Sequence, residues 1–188
     1  MRAIFNTATF ILVLVVFGGC EEPYEGPYEI YHIRKGQHFS TRKIMSLQTS
    51  GISFNARFDQ SAIYTTKTSE NQFDINKLMG FSDCNSMHHD NSARFGWRWA
   101  NDQLEIFAYV YTNGQRITEK LGAANIGESH YYQILVQDDH YAFTFGETTK
   151  KIPRGKTCSG GFYYMLFPYF GGDEPAPQDI SIMIKINW

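Results

Sequence analysis

Eight residues between positions 94 and 120 bring together the side chains that a sugar site uses: Arg94, Arg98, Glu105, Phe107, Tyr109, Tyr111, Arg116 and Lys120. Sugars present apolar C–H faces rimmed by hydroxyls, so their sites set aromatic platforms among charged hydrogen-bonding groups. Retaining hydrolysis would need two carboxyl groups about 5 Å apart. Glu105 has no second acid two or four residues on, and alternation puts Glu119 on the opposite face. Elimination on a uronate makes a different demand: a base such as Tyr or His, and an Arg or Gln to neutralise the carboxylate. Tyr109, Tyr111, Arg94, Arg98 and His88 are of the right types. The same residues also suit a plain exterior face with cross-strand pairs such as Arg98–Glu105, each contributing up to about 1 kcal/mol.

Other groups carry less. His88 and His89 are adjacent, and in an extended chain their rings point apart, so no metal is expected there. Asp138-Asp139-His140 fits turn chemistry. Gly171-Gly172-Asp173-Glu174 lacks the ligand count for calcium. No metal and no cofactor is expected. Net charge is −2, with 19% charged residues, which gives no basic face for nucleic acid.

The elements that must position these residues follow from two turn signals. Asn113-Gly114 suits a type I′ hairpin, which needs positive φ at both central positions, and Asn101-Asp102 is a weaker version. Two-residue turns there pair Tyr111 with Arg116, Tyr109 with Thr118, Phe107 with Lys120, Trp99 with Leu104, Trp97 with Ile106 and Arg98 with Glu105. One face then carries Phe95, Trp97, Trp99, Leu104, Ile106, Ala108, Val110, Ile117 and Leu121, with Glu119 as a misfit. The other carries the eight residues above, with Gly96 opposite Phe107 lowering the floor. Tyr109 lies central on it, with one ring face open.

Further strands are expected at 28–33, 52–58, 62–66, 131–136, 141–145 and 180–186, and one buried on both faces at 162–167. A helical turn capped by Asp74 is expected at 73–79, and loops at 82–92, 150–159 and 171–178. Nine or ten short strands, rich in the 12 Tyr and 15 Phe, make an all-β, antiparallel two-sheet sandwich.

The N-terminus reads as a targeting segment. Arg2 precedes the apolar run 10–17, which ends at Phe17-Gly18-Gly19-Cys20. Small residues before a cysteine resemble a bacterial lipobox, although Phe17 replaces the usual Leu. That resemblance implies a signal peptide over 1–19, lipidation of Cys20, a tether over 20–27 and one domain over 28–188. Glu21-Glu22 resembles the export signal of Bacteroidota surface lipoproteins, which implies a bacterial cell envelope address at the outer membrane. In an exported protein, Cys84 and Cys158 are either a disulfide, worth about 4 kcal/mol for a loop of this length, or two free thiols.

The order of aromatic strands, the Asn113-Gly114 hairpin and the closing isoleucine strand resemble concanavalin A-like jelly rolls of the lectin and glucanase type, over about residues 28–188. The resemblance implies one concave sheet with sugars, where bound, lying across it. Glucanases of this type carry their acids as Glu-x-Asp-x-x-Glu on one strand. Here that strand reads LEIFAYVY, which argues against a glucanase. The expectation is a lipid-anchored envelope protein that binds a glycan or another envelope component on the aromatic and cationic face. The alternatives are a polysaccharide lyase and a structural lipoprotein subunit that docks a partner protein.

Overall fold

The computed structural model describes residues 27–41, 43–47, 50–83, 85–155 and 163–187. Cys20 with its signal peptide, the tether up to residue 26, and both Cys84 and Cys158 lie outside the described residues. The described strands are β1 (Glu29–Ile33), β2 (Ser46–Leu47), β3 (Gly51–Phe58), β4 (Asn76–Ser82), β5 (Ser92–Ala100) and β6 (Gln103–Thr112). They continue with β7 (Gln115–Ala124), β8 (Ser129–Val136), β9 (His140–Phe145), β10 (Thr148–Pro153), β11 (Tyr163–Leu166) and β12 (Ile180–Asn187). Two antiparallel six-stranded sheets form a sandwich of the jelly-roll kind, in the orders β1-β12-β3-β8-β9-β10 and β2-β11-β4-β5-β6-β7.

The core forms because each strand turns alternate apolar side chains inward. Phe54, Phe58, Tyr132, Ile134, Phe143, Ile182 and Ile184 come from the first sheet, and Leu78, Phe81, Phe95, Trp97, Ile106 and Val110 from the second. Phe95 meets Phe54, Tyr132 and Phe143 edge-on across the interface, at centroid distances of 5.8, 5.0 and 5.2 Å. One polar clamp crosses it. Asp83, directly after β4, is wholly buried and accepts hydrogen bonds from Arg154 Nε (2.6 Å), Arg154 Nη2 (3.0 Å) and Tyr141 Oη (2.5 Å).

Both expected hairpins form. Asn101 and Asp102 have φ of 54° and 55°, and Asn113 and Gly114 of 50° and 79°, as type I′ turns require. All six expected pairs stand in the register of β5, β6 and β7. Glu119 escapes the core because β7 is the sheet edge, where its carboxylate meets Lys150 at 3.5 Å. Trp97 is fully buried, while Trp99 is only partly so.

Four expectations are corrected. Residues 62–66 are not a strand: Asp59 caps Ser61 N at 2.8 Å and starts a 3-10 turn, Gln60–Ala62. The helical turn at 73–79 is a 3-10 turn at Ser69–Phe73 followed by β4, with Asp74 closing that turn rather than opening one. Pairing of β4 with β11 on one side and β5 on the other overrides the local helical preference. Residues 150–153, expected as the start of a loop, belong to β10 and pair with β9. β11 buries only Met165 fully, because its outer side borders the cleft described next.

Candidate functional site

The outer face of the second sheet divides into two parts. In the first, Glu105 is buried and takes Arg98 Nε and Lys120 Nζ on its two oxygens, each at 2.6 Å. Burial alone would raise this carboxyl, but the bonds from Lys120 and Arg98 outweigh it and hold the pKa below its ordinary value. Arg98 Nη1 donates to Phe73 O at 2.6 Å, and its guanidinium lies between the rings of Phe107 (4.9 Å) and Phe73 (5.4 Å). Glu105 is thus an ionised, fully engaged group with no proton to give. Gly96 does face Phe107, but the space above it is filled: a Cβ there would lie 2.5 Å from Ile75 Cγ2. Arg98, Glu105, Phe107 and Lys120 are thus tied to one another beside the cleft rather than lining it, with Lys120 still exposed.

The second part is open. A cleft of about 470 Å³ is lined by Arg94, Tyr109, Tyr111, Lys77, His88, His89 and Tyr169, with Ser92, Gly172 and Asp173. It adjoins a recess of about 230 Å³ lined by Phe39, Leu166 and Pro168, which shares His88, Arg94 and Tyr169 with it. Arg94 forms the floor at 7% exposure. Its Nη2 donates to Phe167 O at 2.7 Å, and its Nε has no hydrogen-bond partner. Among the described residues no carboxylate pairs with it. Burial draws its pKa down to about 10, so it remains a cation at neutral pH.

A β-bulge between Lys77 and Gly80 aims Lys77 into the cleft. Its Nζ lies 5.0 Å from the Tyr109 ring centre and 5.9 Å from that of Tyr169. Its backbone exchanges hydrogen bonds with Tyr169, at 2.8 and 2.9 Å. Burial, then Arg94 and Arg116, bring the Lys77 ammonium down to about 8 against the pull of Asp74. Tyr109 is pushed up, first by burial and then by Tyr111, with Arg116 opposing, so its phenol stays protonated. His88 is lowered by burial, His89 and Arg94, which favours neutral imidazole.

Ring contacts run unbroken around the wall. Tyr109 meets Tyr111 at 5.9 Å, Tyr111 meets His89 at 5.2 Å, and His89 meets His88 at 4.1 Å. The two imidazoles therefore do not point apart as an extended chain would have them, because a turn between Met87 O and Asp90 N brings them together. Among the described residues no group of three metal-binding side chains gathers. Tyr109 is only 5% exposed, so its ring is more enclosed than expected. Arg116 is exposed and acts on the cleft through its charge.

Sequence reasoning thus found Arg94, Tyr109, Tyr111 and His88 and missed Lys77 and Tyr169. Lys77 hid in a segment with helical character. Tyr169 follows β11 by three residues, and isolated bridges to Lys77 and Phe39 and a stack on His38 place it here.

Neither a family model nor a curated protein matches the chain. Solved structures do. The alginate lyase vAL-1 from Chlorella virus aligns with a TM-score of 0.54 at 12% identity, over 85% of this chain and 82% of that one. The alginate lyase AlyC3 gives a TM-score of 0.59 at 9% identity, over 85% and 74%. A family GH16 protein of the Bacteroides ovatus mixed-linkage glucan locus, in complex with its product, gives 0.55 at 10% identity, over 85% and 81%. At these identities the likeness is one of fold: the chain is a two-sheet sandwich of the kind shared by these glucanases and alginate lyases.

Proposed function

We propose that the chain is a polysaccharide lyase-like protein that binds an acidic, uronate-bearing glycan in the cleft and cleaves it by β-elimination. The observation that carries this reading is Arg94, a buried guanidinium at the floor of an aromatic-walled cleft that forms no ion pair with a carboxylate among the described residues. An isolated buried cation is costly unless an anion completes it, and a guanidinium matches a carboxylate in fork geometry. Neutralising a uronate carboxylate is also what makes the adjacent C5 proton acidic.

In the elimination, a base takes the C5 proton and the C–H electron pair becomes the C4–C5 double bond. The C4–O bond breaks, and the leaving oxygen takes a proton from an acid; no water is consumed. In this reading Tyr109, which burial keeps protonated, is that acid. Hydrolysis is disfavoured because Asp173 is the one carboxylate among the described lining residues, and Glu105 is engaged elsewhere. A recess of this shape also suits a sugar better than a flat protein partner. Two alginate lyases among the structural likenesses make alginate a rational first substrate. Lipidation at Cys20 would hold the domain at the cell envelope, where such polymers are met.

The test is incubation with alginate and other uronate polysaccharides while following the ultraviolet absorbance of the unsaturated product. Absorbance should rise with wild type and be lost with Arg94→Lys, which keeps charge but not the fork. The absence of both unsaturated product and oligouronate binding by calorimetry would overturn the reading.

A further inference from the structure

We propose that Lys77 is the base of the elimination, its Nζ removing the C5 proton of the uronate whose carboxylate rests on Arg94. This rests on the reading of the cleft given above and assigns its central proton transfer. Three independent features place the amine. The β4 bulge turns Lys77 toward the cleft, and its two backbone hydrogen bonds with Tyr169 fix the strand there. The chain also leaves room for the amine, since a Cβ on Gly171 would come within 2.7 Å of Nζ. No carboxylate forms an ion pair with Lys77 among the described residues, whereas a lysine with a purely structural role on a surface sheet commonly has one, as Lys120 does.

The groups facing the amine come from every neighbouring element. Burial disfavours the ammonium most, and Arg94 on β5 and Arg116 on β7 repel it as well. Asp74 favours it, as do the ring faces of Tyr109 and Tyr169. Asp173 and His88 complete the surroundings. The balance leaves a substantial share of free amine at mildly alkaline pH, where an ordinary lysine is almost wholly protonated. His88 is the competing base, but its ring packs against His89 at 4.1 Å. The electron pair of Nζ accepts the proton, the C–H pair forms the double bond, and the C4–O pair leaves on the glycosidic oxygen, which Tyr109 protonates. Solvent then returns a proton to the phenolate and takes one from the ammonium.

The test uses the full chain with Lys77→Arg, which keeps the positive charge and cannot deprotonate, and Lys77→Met. Turnover, oligouronate binding by calorimetry, and a pH titration of carbon-13-labelled lysine side chains by NMR are measured together. Both variants should lose about a hundredfold or more in kcat, the usual contribution of a general base, while Lys77→Arg binds within a few-fold of wild type. Wild-type kcat/KM should rise with pH through a midpoint of about 8, matching that of the Lys77 resonance, and level off above it. Lys77→Arg turning over at more than about a tenth of wild type, or Lys77 titrating near the ordinary value of about 10.4, would overturn the assignment and leave the lyase reading standing. A wild type that cleaves no uronate polymer would instead remove the lyase reading and the base with it.

Discussion

Asp83 offers the most direct test of how the two sheets are held together. Its carboxylate is buried and receives both Arg154 and the Tyr141 hydroxyl. The Arg154 side chain is itself only 5% exposed. Asp83→Asn keeps the shape and one acceptor oxygen but leaves the guanidinium buried without its counter-charge. Breaking a buried pair in this way costs about 3–5 kcal/mol. Arg154 Nη1 keeps Gln137 O at 3.0 Å, which places the expected loss at the lower end of that range. A loss of about 3 kcal/mol in a chain of this size lowers Tm by about 6–12 °C. Urea denaturation followed by fluorescence of the buried Trp97 should show a lower midpoint with an unchanged slope. The double variant Asp83→Leu with Arg154→Met should recover at least half of the loss, because neither desolvated charge remains. A single variant within about 0.5 kcal/mol of wild type would refute the reasoning and mean that water already reaches the pair.

Three further outcomes are expected. Trp97→Ala should cost about 3–5 kcal/mol and Trp99→Ala clearly less, and iodide should quench Trp99 before Trp97; equal costs would contradict their different burial. Lys77 has a folded pKa of about 8 against 10.5 for the free side chain, so the unfolded chain binds more protons between those values. The stability of wild type relative to Lys77→Met should therefore rise with pH across that window and be flat below it; a fall would exclude the depressed pKa. Cys20→Ala should abolish lipidation and shift the protein from the detergent to the aqueous phase; equal partitioning would rule out the anchor.

The strands around the cleft were legible where local chemistry sets them. Two turns that tolerate positive φ, at 101–102 and 113–114, fix the register of β5, β6 and β7 residue by residue. Alternation then sorts Trp97 and Ile106 from Arg94 and Tyr109. It cannot say what will cover the second group. Ile75 fills the space over Gly96, Phe73 closes on Arg98, and Tyr169 walls the cleft beside Lys77. All three come from segments distant in sequence, so the outer face is half sealed and half open for reasons that periodicity does not contain. β4 was missed because pairing with neighbours on both sides, rather than its own composition, makes it a strand.

The place of β12 has a consequence for when this chain can fold. β12, the most C-terminal of the described strands, is inserted between β1 and β3, two of the first. The β5, β6 and β7 meander can form early, since each of its turns closes a short loop. In the opposite sheet β3, β8, β9 and β10 can pair without β12, but β1 must wait, because among the described residues β12 is its one strand neighbour. Until residue 187 has left the ribosome, the aromatic side chains of the inner faces lack part of their cover. Truncation of the final strand should for the same reason yield an aggregating chain rather than a smaller domain.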